Sequence, residues 1–189
     1  MIFLRKMHNS IPKKLLFSMP EYSDSRGKLS LLRCKTIIKD GENVPNFLKK
    51  TPDQVFLSKT KPWHGRGLHY QKLNPLLQTV TVIDGKIYEC LVETKRFKSF
   101  TKYKTYKRII CAGDKLNSFV VPKGWAHGFF TKSREASLIY QVWGERKVDD
   151  EHGYNLFDPK FKFLSKQELN KVKINKRDRN FSLIEQLKS

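Results

Sequence analysis

Apolar and polar residues alternate over much of the chain in short runs broken by turn residues. KKLLFSM, KLSLLRCKTII, QTVTVI, KIYECLVET, KTYKRIICA, NSFVVP and SLIYQVWGE are rich in aliphatic, β-branched and aromatic side chains. Such runs fit pleated strands, each with a buried face. Asp84-Gly85 separates QTVTVI from KIYECLVET. Glycine there supplies the positive φ of a two-residue turn, so these two strands are predicted to pair as a hairpin. Gly113-Asp114 and Lys123-Gly124 punctuate the next strands. Helix signals are local: one around Val44–Lys50, and one after Ser165, where SKQEL reads as an N-cap and a first turn. Many short strands at regular spacing predict a sandwich or barrel. No internal repeat or low-complexity linker interrupts the chain, so residues 1–189 are expected to form one domain.

Charge adds a class of partner. Lysine and arginine number 38 against 18 acidic residues, a formal net charge of +20. A chain so charged meets anions: a nucleotide diphosphate, nucleic acid or an acidic lipid surface. Much of the lysine is scattered, as on a solvated face, and chooses no partner by itself. Arg96–Arg108, RFKSFTKYKTYKR, interleaves basic and aromatic residues. That could be a single-strand nucleic-acid platform, or a hairpin with aromatics turned inward and lysines facing water. No nucleic-acid-binding motif accompanies it, so nucleic acid is not expected as a partner. Cys34, Cys90 and Cys111 lie far apart, and an odd count suits a reducing compartment. Cys90 and Cys111 sit in strand runs and read as small buried hydrophobes. The apolar pieces of MIFLRKMHNSIPKKLLFSMP are too short for a signal h-region, and no stretch approaches membrane-spanning length. A cytoplasmic protein is expected.

Two histidines stand in informative surroundings. His69 lies in RGLHYQ (Arg66–Gln71), and His127 lies in VPKGWAHGF (Val121–Phe129). Taken alone, His69 reads as a core histidine in a run that leads toward a valine-rich strand, since a single imidazole carries no mechanism. Pro-Lys-Gly makes a turn that delivers His127 from a strand end, where cupin barrels point a side chain inward. Cupins that bind metal add an HxH and a following glutamate, and RGLHYQ lacks the second histidine. Two histidines without a carboxylate at ligand spacing make a weak metal site, so no metal or other cofactor is expected.

With DSRG (Asp24–Gly27), the tyrosine of SLIYQ, ExG at Glu151–Gly153, FDP at Phe157–Pro159 and RDRNFSLI (Arg177–Ile184), these motifs cover most of the chain. In this order they resemble the dTDP-4-dehydrorhamnose 3,5-epimerases, metal-independent jelly-roll cupins. The resemblance implies an all-β jelly-roll (cupin) barrel with short peripheral helices, forming a homodimer. It also implies epimerisation at carbon 3, carbon 5 or both of a nucleotide-diphospho-4-keto sugar, for deoxysugar or surface-polysaccharide synthesis. Ketones acidify hydrogens on both neighbouring carbons, and inversion needs a base, an acid on the other face and support for the enolate. On this resemblance His69 is the base, Asp178 the carboxylate orienting it, and Tyr140 the acid. His127 lies near the sugar, Arg66 and Arg26 grip the diphosphate, Gln54 lies on the nucleotide side, and Glu151 belongs to the substrate-binding set.

Several positions depart from the family pattern. Gln78 falls where the family keeps a lysine that stabilises the enolate, and Glu89 where it keeps an aspartate near that lysine. Glu145-Arg146 replaces paired aromatics, Phe56 an asparagine, and Leu31 a glutamate. Base, orienting carboxylate and acid are therefore intact, while enolate support and nucleobase recognition are altered. Three rival readings follow: a sugar-nucleotide ketoisomerase, a non-catalytic sugar-nucleotide-binding cupin with Gln78 as its mark, and a basic nucleic-acid-binding β protein.

Overall fold

In the computed structural model, which describes residues 10–17, 21–25, 27–30, 50–96, 101–132 and 134–184, the alternating runs build two five-stranded antiparallel sheets. The strands are β1 (Leu16–Phe17), β2 (Glu21–Asp24), β3 (Gly27–Ser30), β4 (Gln54–Thr60), β5 (Gly65–Gln71) and β6 (Leu77–Asp84). They continue as β7 (Lys86–Arg96), β8 (Thr101–Cys111), β9 (Ser118–Val121), β10 (Ala126–Phe130), β11 (Ala136–Trp143) and β12 (Glu151–Gly153). One sheet runs β1-β9-β6-β11-β4, the other β12-β5-β10-β7-β8, and β2-β3 form a separate ribbon. The architecture is an all-β jelly-roll sandwich: among the described residues no ladder joins the two five-stranded sheets into a closed barrel.

Period-two patterning decides what lies between the sheets. Val80 and Val82 of β6, Phe119 of β9 and Leu138 of β11 meet Ile87 and Leu91 of β7 and Ile110 of β8 in one fully buried cluster. Burying each such side chain contributes roughly 1.5–3 kcal/mol. The other face of the β5-β10-β7 layer carries Leu68, Cys90, Val92 and Phe130. It is covered by Tyr154, Leu156, Phe161 and Phe163 from the chain after β12. That segment holds both helices, α1 (Lys166–Leu169) and α2 (Lys176–Arg179). The predicted start of α1 is a full capping box: Ser165 Oγ accepts from the Glu168 backbone, and Glu168 accepts from Ser165 N–H at 2.7 Å.

The Asp84-Gly85 hairpin is not formed. β6 and β7 belong to different sheets, so this turn carries the chain from one sheet to the other. Positive φ is needed all the same: Gly85 has φ 74°, and a Cβ there would sit 2.2 Å from Glu135 O. Close approach of another strand, rather than a hairpin, fixes the glycine. β7 instead pairs with β8 from Lys86↔Cys111 to Arg96↔Thr101. From Thr101 on, the basic-aromatic segment is therefore a strand paired with β7, with Tyr106 buried against Trp125 and Lys104 exposed.

Several other expectations meet the structure in part. In KKLLFSM, Lys13–Leu15 forms a 3₁₀ turn and Leu16–Phe17 is extended, while Ser18 and Met19 lie outside the described residues. Most of KLSLLRCKTII, Cys34 and the Val44–Lys50 helix apart from Lys50 lie outside the described residues. Cys90 is buried and Cys111 only half-buried, and both are free thiols. Among the described residues no helix is long and apolar enough to cross a membrane.

Candidate active site

Between the sheets, at the β5-β10 and β6-β11 end, opens a cavity of about 350 Å³. Its walls bring together His69, His127, Arg66, Gln78, Tyr140 and Glu151, six of the nine residues singled out from sequence. Strand register explains the grouping. His127 is the cross-strand partner of His69, so both imidazoles share the inward face of one sheet. Tyr140 and Gln78 come from β11 and β6 of the opposite sheet.

His69 is held from behind. Its Nε2 lies 2.9 Å from Asp178 Oδ1, and the other oxygen, Oδ2, accepts the Gly67 N–H at 2.9 Å. Asp178 is 1% exposed, on α2, whose Asn175 cap accepts the Asp178 N–H. Gly67 has φ 94° and a would-be Cβ 2.6 Å from His127 O, so only glycine lets β5 lie so close to β10 and aim its N–H at the carboxylate. Burial alone would raise the Asp178 carboxyl. The hydrogen bonds from His69 and Gly67 and the charges of His69 and Arg177 outweigh it and hold the group below its ordinary value. Phe181 packs edge-on to the His69 ring with centroids 5.6 Å apart. With Nε2 engaged, Nδ1 is the nitrogen left for a substrate.

Across the cavity, Tyr140 packs tilted against His127, with ring centroids 5.9 Å apart. Burial first, then the Glu89 charge, push its hydroxyl well above the ordinary tyrosine value, against a smaller opposite pull from Arg66. It is therefore a phenol, a proton donor, at neutral pH. Behind His127 sits Glu89, fully buried on β7, with Oε1 3.6 Å from His127 Nδ1. Burial raises its carboxyl to about 7, partly offset by His127.

The mouth is cationic. Arg66 is steadied by Thr60 Oγ1 at 3.1 Å and Lys59 O at 3.3 Å, which leaves part of its guanidinium for an anion. Glu151 bridges Arg146 and Arg177, and Arg177 also lies 3.2 Å from His69 Nε2. Gln54 is outside the cavity wall; its Oε1 accepts the Arg146 N–H at 3.2 Å and so positions that residue. Arg26 lies outside the described residues. Among the described residues no three His, Cys, Asp or Glu side chains converge as a metal-binding group.

Sequence reading named neither Arg146, Arg177 nor Glu89 as a site residue. Arg177 directly precedes Asp178 in RDRN, and Glu89 is a charge at an inward position of an otherwise apolar strand. Both are visible signals, and so is Arg146, which stands where the family keeps one of its paired aromatics. FDP has a structural task instead: Asp158 is buried and accepts from Lys160 N and Ile184 N at 2.8 and 2.7 Å.

A jelly roll with an imidazole on one sheet backed by a helix-borne carboxylate, a phenol on the other sheet and arginines at the mouth defines an acid-base site for an anionic substrate. The sequence profile of the dTDP-4-dehydrorhamnose 3,5-epimerase family matches residues 8–186, and the chain belongs to that family. A dTDP-4-dehydrorhamnose 3,5-epimerase of Methanothermobacter thermautotrophicus is 32% identical over 76 residues, spanning 40% of this chain and 40% of the relative's own length. One from Shigella flexneri is 27% identical over 134 residues, 70% of each chain. Among solved structures, the dTDP-6-deoxy-D-glucose-3,5-epimerase of Legionella pneumophila, in complex with dTDP-4-keto-L-rhamnose, superposes with a TM-score of 0.71. It is 22% identical and covers 94% of this chain and 92% of that one.

Proposed function

We propose that the protein inverts carbon 3, carbon 5 or both of a nucleotide-diphospho-4-keto sugar, through an enolate, in deoxysugar or surface-polysaccharide synthesis. His69 Nδ1 takes the hydrogen from the carbon beside the ketone, and Asp178 stabilises the imidazolium that results. Tyr140 returns a proton to that carbon from the opposite sheet, and hence to the opposite face of the ring. Gln78 donates its amide hydrogen toward the ketone oxygen. Arg66 and Arg26 hold the diphosphate, while Glu151 and Gln54 order the nucleotide side through Arg146. The single observation that carries the reading is the 2.9 Å His69–Asp178 bond on one wall of a cavity whose facing wall holds a protonated tyrosine.

Finer features belong to the same proposal. The chain acts as one domain in a homodimer, supported by Val55 and Leu57, which stand 60% and 62% exposed on the edge strand β4. It works in the cytoplasm, in keeping with the free thiols of Cys90 and Cys111. Nucleic acid is not a partner, since Tyr106 of the basic hairpin is spent on the core.

The test is incubation with a panel of 4-keto sugar nucleotides in deuterated water, followed by NMR. Deuterium should enter at carbon 3, carbon 5 or both, with inverted product, and His69→Ala should abolish entry while still binding thymidine diphosphate. Entry at full rate in the alanine variant would remove His69 from the mechanism. No entry with any substrate would overturn the epimerase reading.

A further inference from the structure

Three buried polar atoms without a hydrogen-bond partner among the described residues stand together beside the cavity: both oxygens of Glu89 and Nδ1 of His127. Glu89 is 0% exposed, on the inward face of β7 between Ile87 and Leu91. A carboxylate shut from water with no donor is among the costliest groups a core can hold, and it persists only beside a compensating charge or proton. His127, its ion-pair partner at 3.6 Å, is placed to supply that proton. Other titratable or charged groups reach this pair from three further strands: Tyr140 on β11, which feels the Glu89 charge; His69, the cross-strand partner of His127, and Arg66, which acts on Tyr140, both on β5; and Arg108 on β8, the cross-strand partner of Glu89. Cys90, next along β7, faces the opposite side of the sheet.

The cavity meanwhile has few uncommitted donors for an oxygen that acquires negative charge. Arg146 and Arg177 are spent on Glu151, Arg66 is anchored at Thr60 and Lys59 near the mouth, and Gln78 brings no charge. His127 lies beside His69 in register, and with Nδ1 turned toward Glu89 its Nε2 is the nitrogen left for the cavity.

We propose that Glu89 and His127 form a proton-carrying pair that loads the enolate oxygen. His127 donates from Nε2, and Glu89 is the positioning residue that keeps the imidazole charged. The inference rests on the epimerase reading. As His69 takes the carbon-bound proton, the C–H electron pair becomes a ring C=C bond and the C=O π pair moves onto oxygen. That oxygen takes the Nε2 proton of His127, which neutralises the enolate to an enol and leaves a neutral imidazole whose Nδ1–H still faces Glu89. On collapse the enol returns its proton to Nε2, the C=O bond re-forms, and the carbon accepts a proton from the Tyr140 hydroxyl. Tyr140 and His69 then reset through solvent.

Glu89→Gln keeps the shape of the side chain and removes its charge. Exchange turnover in this variant should fall by about tenfold or more, with affinity for thymidine diphosphate changed less than about twofold, because the donor acts only as charge develops. Glu89→Asp should recover part of the loss. Nitrogen-15 spectra of His127, recorded without substrate at neutral pH, should show both ring nitrogens protonated in the wild type and only one in Glu89→Gln. Wild-type turnover in Glu89→Gln, or the same His127 protonation in both proteins, would overturn the pairing. Should the glutamine variant fail to fold, a His127 protonated on only one nitrogen in the wild type overturns it equally. Loss of all exchange in the wild type would instead count against the epimerase reading, while the histidine spectra still decide the pair.

Discussion

Replacing Asp178 with asparagine alters one atom and a charge at the most tightly specified point of the site. Both oxygens accept at 2.9 Å, one from His69 Nε2 and one from Gly67 N–H. An asparagine can offer its single oxygen to one of them, so its amide nitrogen must face the other, donor against donor. If the oxygen turns to Gly67, the strand approach survives and His69 is pushed into the wrong tautomer. If it turns to His69, a buried N–H is left unpaired, at a cost of about 1–3 kcal/mol of stability. In either orientation the imidazolium loses a charge-assisted hydrogen bond of about 1.5–3 kcal/mol, which converts to roughly 10- to 150-fold in rate. Deuterium entry into a 4-keto sugar nucleotide, followed by NMR at saturating substrate, measures the rate, and calorimetry the stability. The carboxylate also contributes a pH term. Its folded value is held below the usual one of about 3.9, so it adds stability above that pH and loses it as pH falls through the folded value. The asparagine variant should lack that acid-side loss. Turnover within about twofold of wild type would refute the assignment of Asp178 as the residue that orients and charges the base.

Three further outcomes are expected. Arg66→Ala should weaken thymidine diphosphate binding by roughly tenfold or more, whereas Lys104→Ala, on the exposed face of β8, should change it little, as titration calorimetry would report. Equal losses would mean that diffuse charge holds the nucleotide. Gln78→Leu should lower turnover by about tenfold with binding less affected, and Gln78→Lys should hold or raise it; a leucine variant as active as wild type sinks the role given to that amide. Gly85→Ala should destabilise the fold by roughly 1–2 kcal/mol for the left-handed backbone alone, and by more for the contact with Glu135 O, read as a lowered denaturation midpoint; an unchanged midpoint would show that the sheet-to-sheet turn tolerates a side chain.

How much of this was legible in the sequence depends on how local each feature is. Alternation identified β6, β7, β8, β9 and β11, because inward and outward residues are spelled out along each strand. It could not say which strands pair. Asp84-Gly85 demands the same positive φ in a hairpin as in a crossing between sheets, and only the approach of Glu135 and Ala136, some fifty residues on, distinguishes them. The site divides in the same way. His69, His127 and Tyr140 stand in motifs that carry a family resemblance, and Asp178 joins them through that resemblance although it lies 109 residues from His69. Glu89 stands out in the sequence as a departure from the family pattern, but its contact with His127 is a matter of register between β7 and β10, where His127 faces Leu91. The bridge from Glu151 to Arg146 and Arg177 depends on where a loop and a four-residue helix come to rest, which no local pattern encodes.

The dyad has a timetable as well as a geometry. His69 is laid down in β5 early in the chain. Asp178 arrives only after the segment from Tyr154 onward has wrapped the outer face of that sheet, tied by Lys173 O to Gly65 N–H and by Asp158 to Ile184 N–H. During synthesis the sandwich can therefore form while His69 is still without Asp178. A brief local opening of the same wrap in the finished protein would part Asp178 from His69 while the sheet ladders stay paired. Activity is thus a stricter measure of native structure than strand content. Gentle heat, mild denaturant or a single proteolytic nick between Tyr154 and Asp178 should silence exchange before circular dichroism reports any loss of β structure.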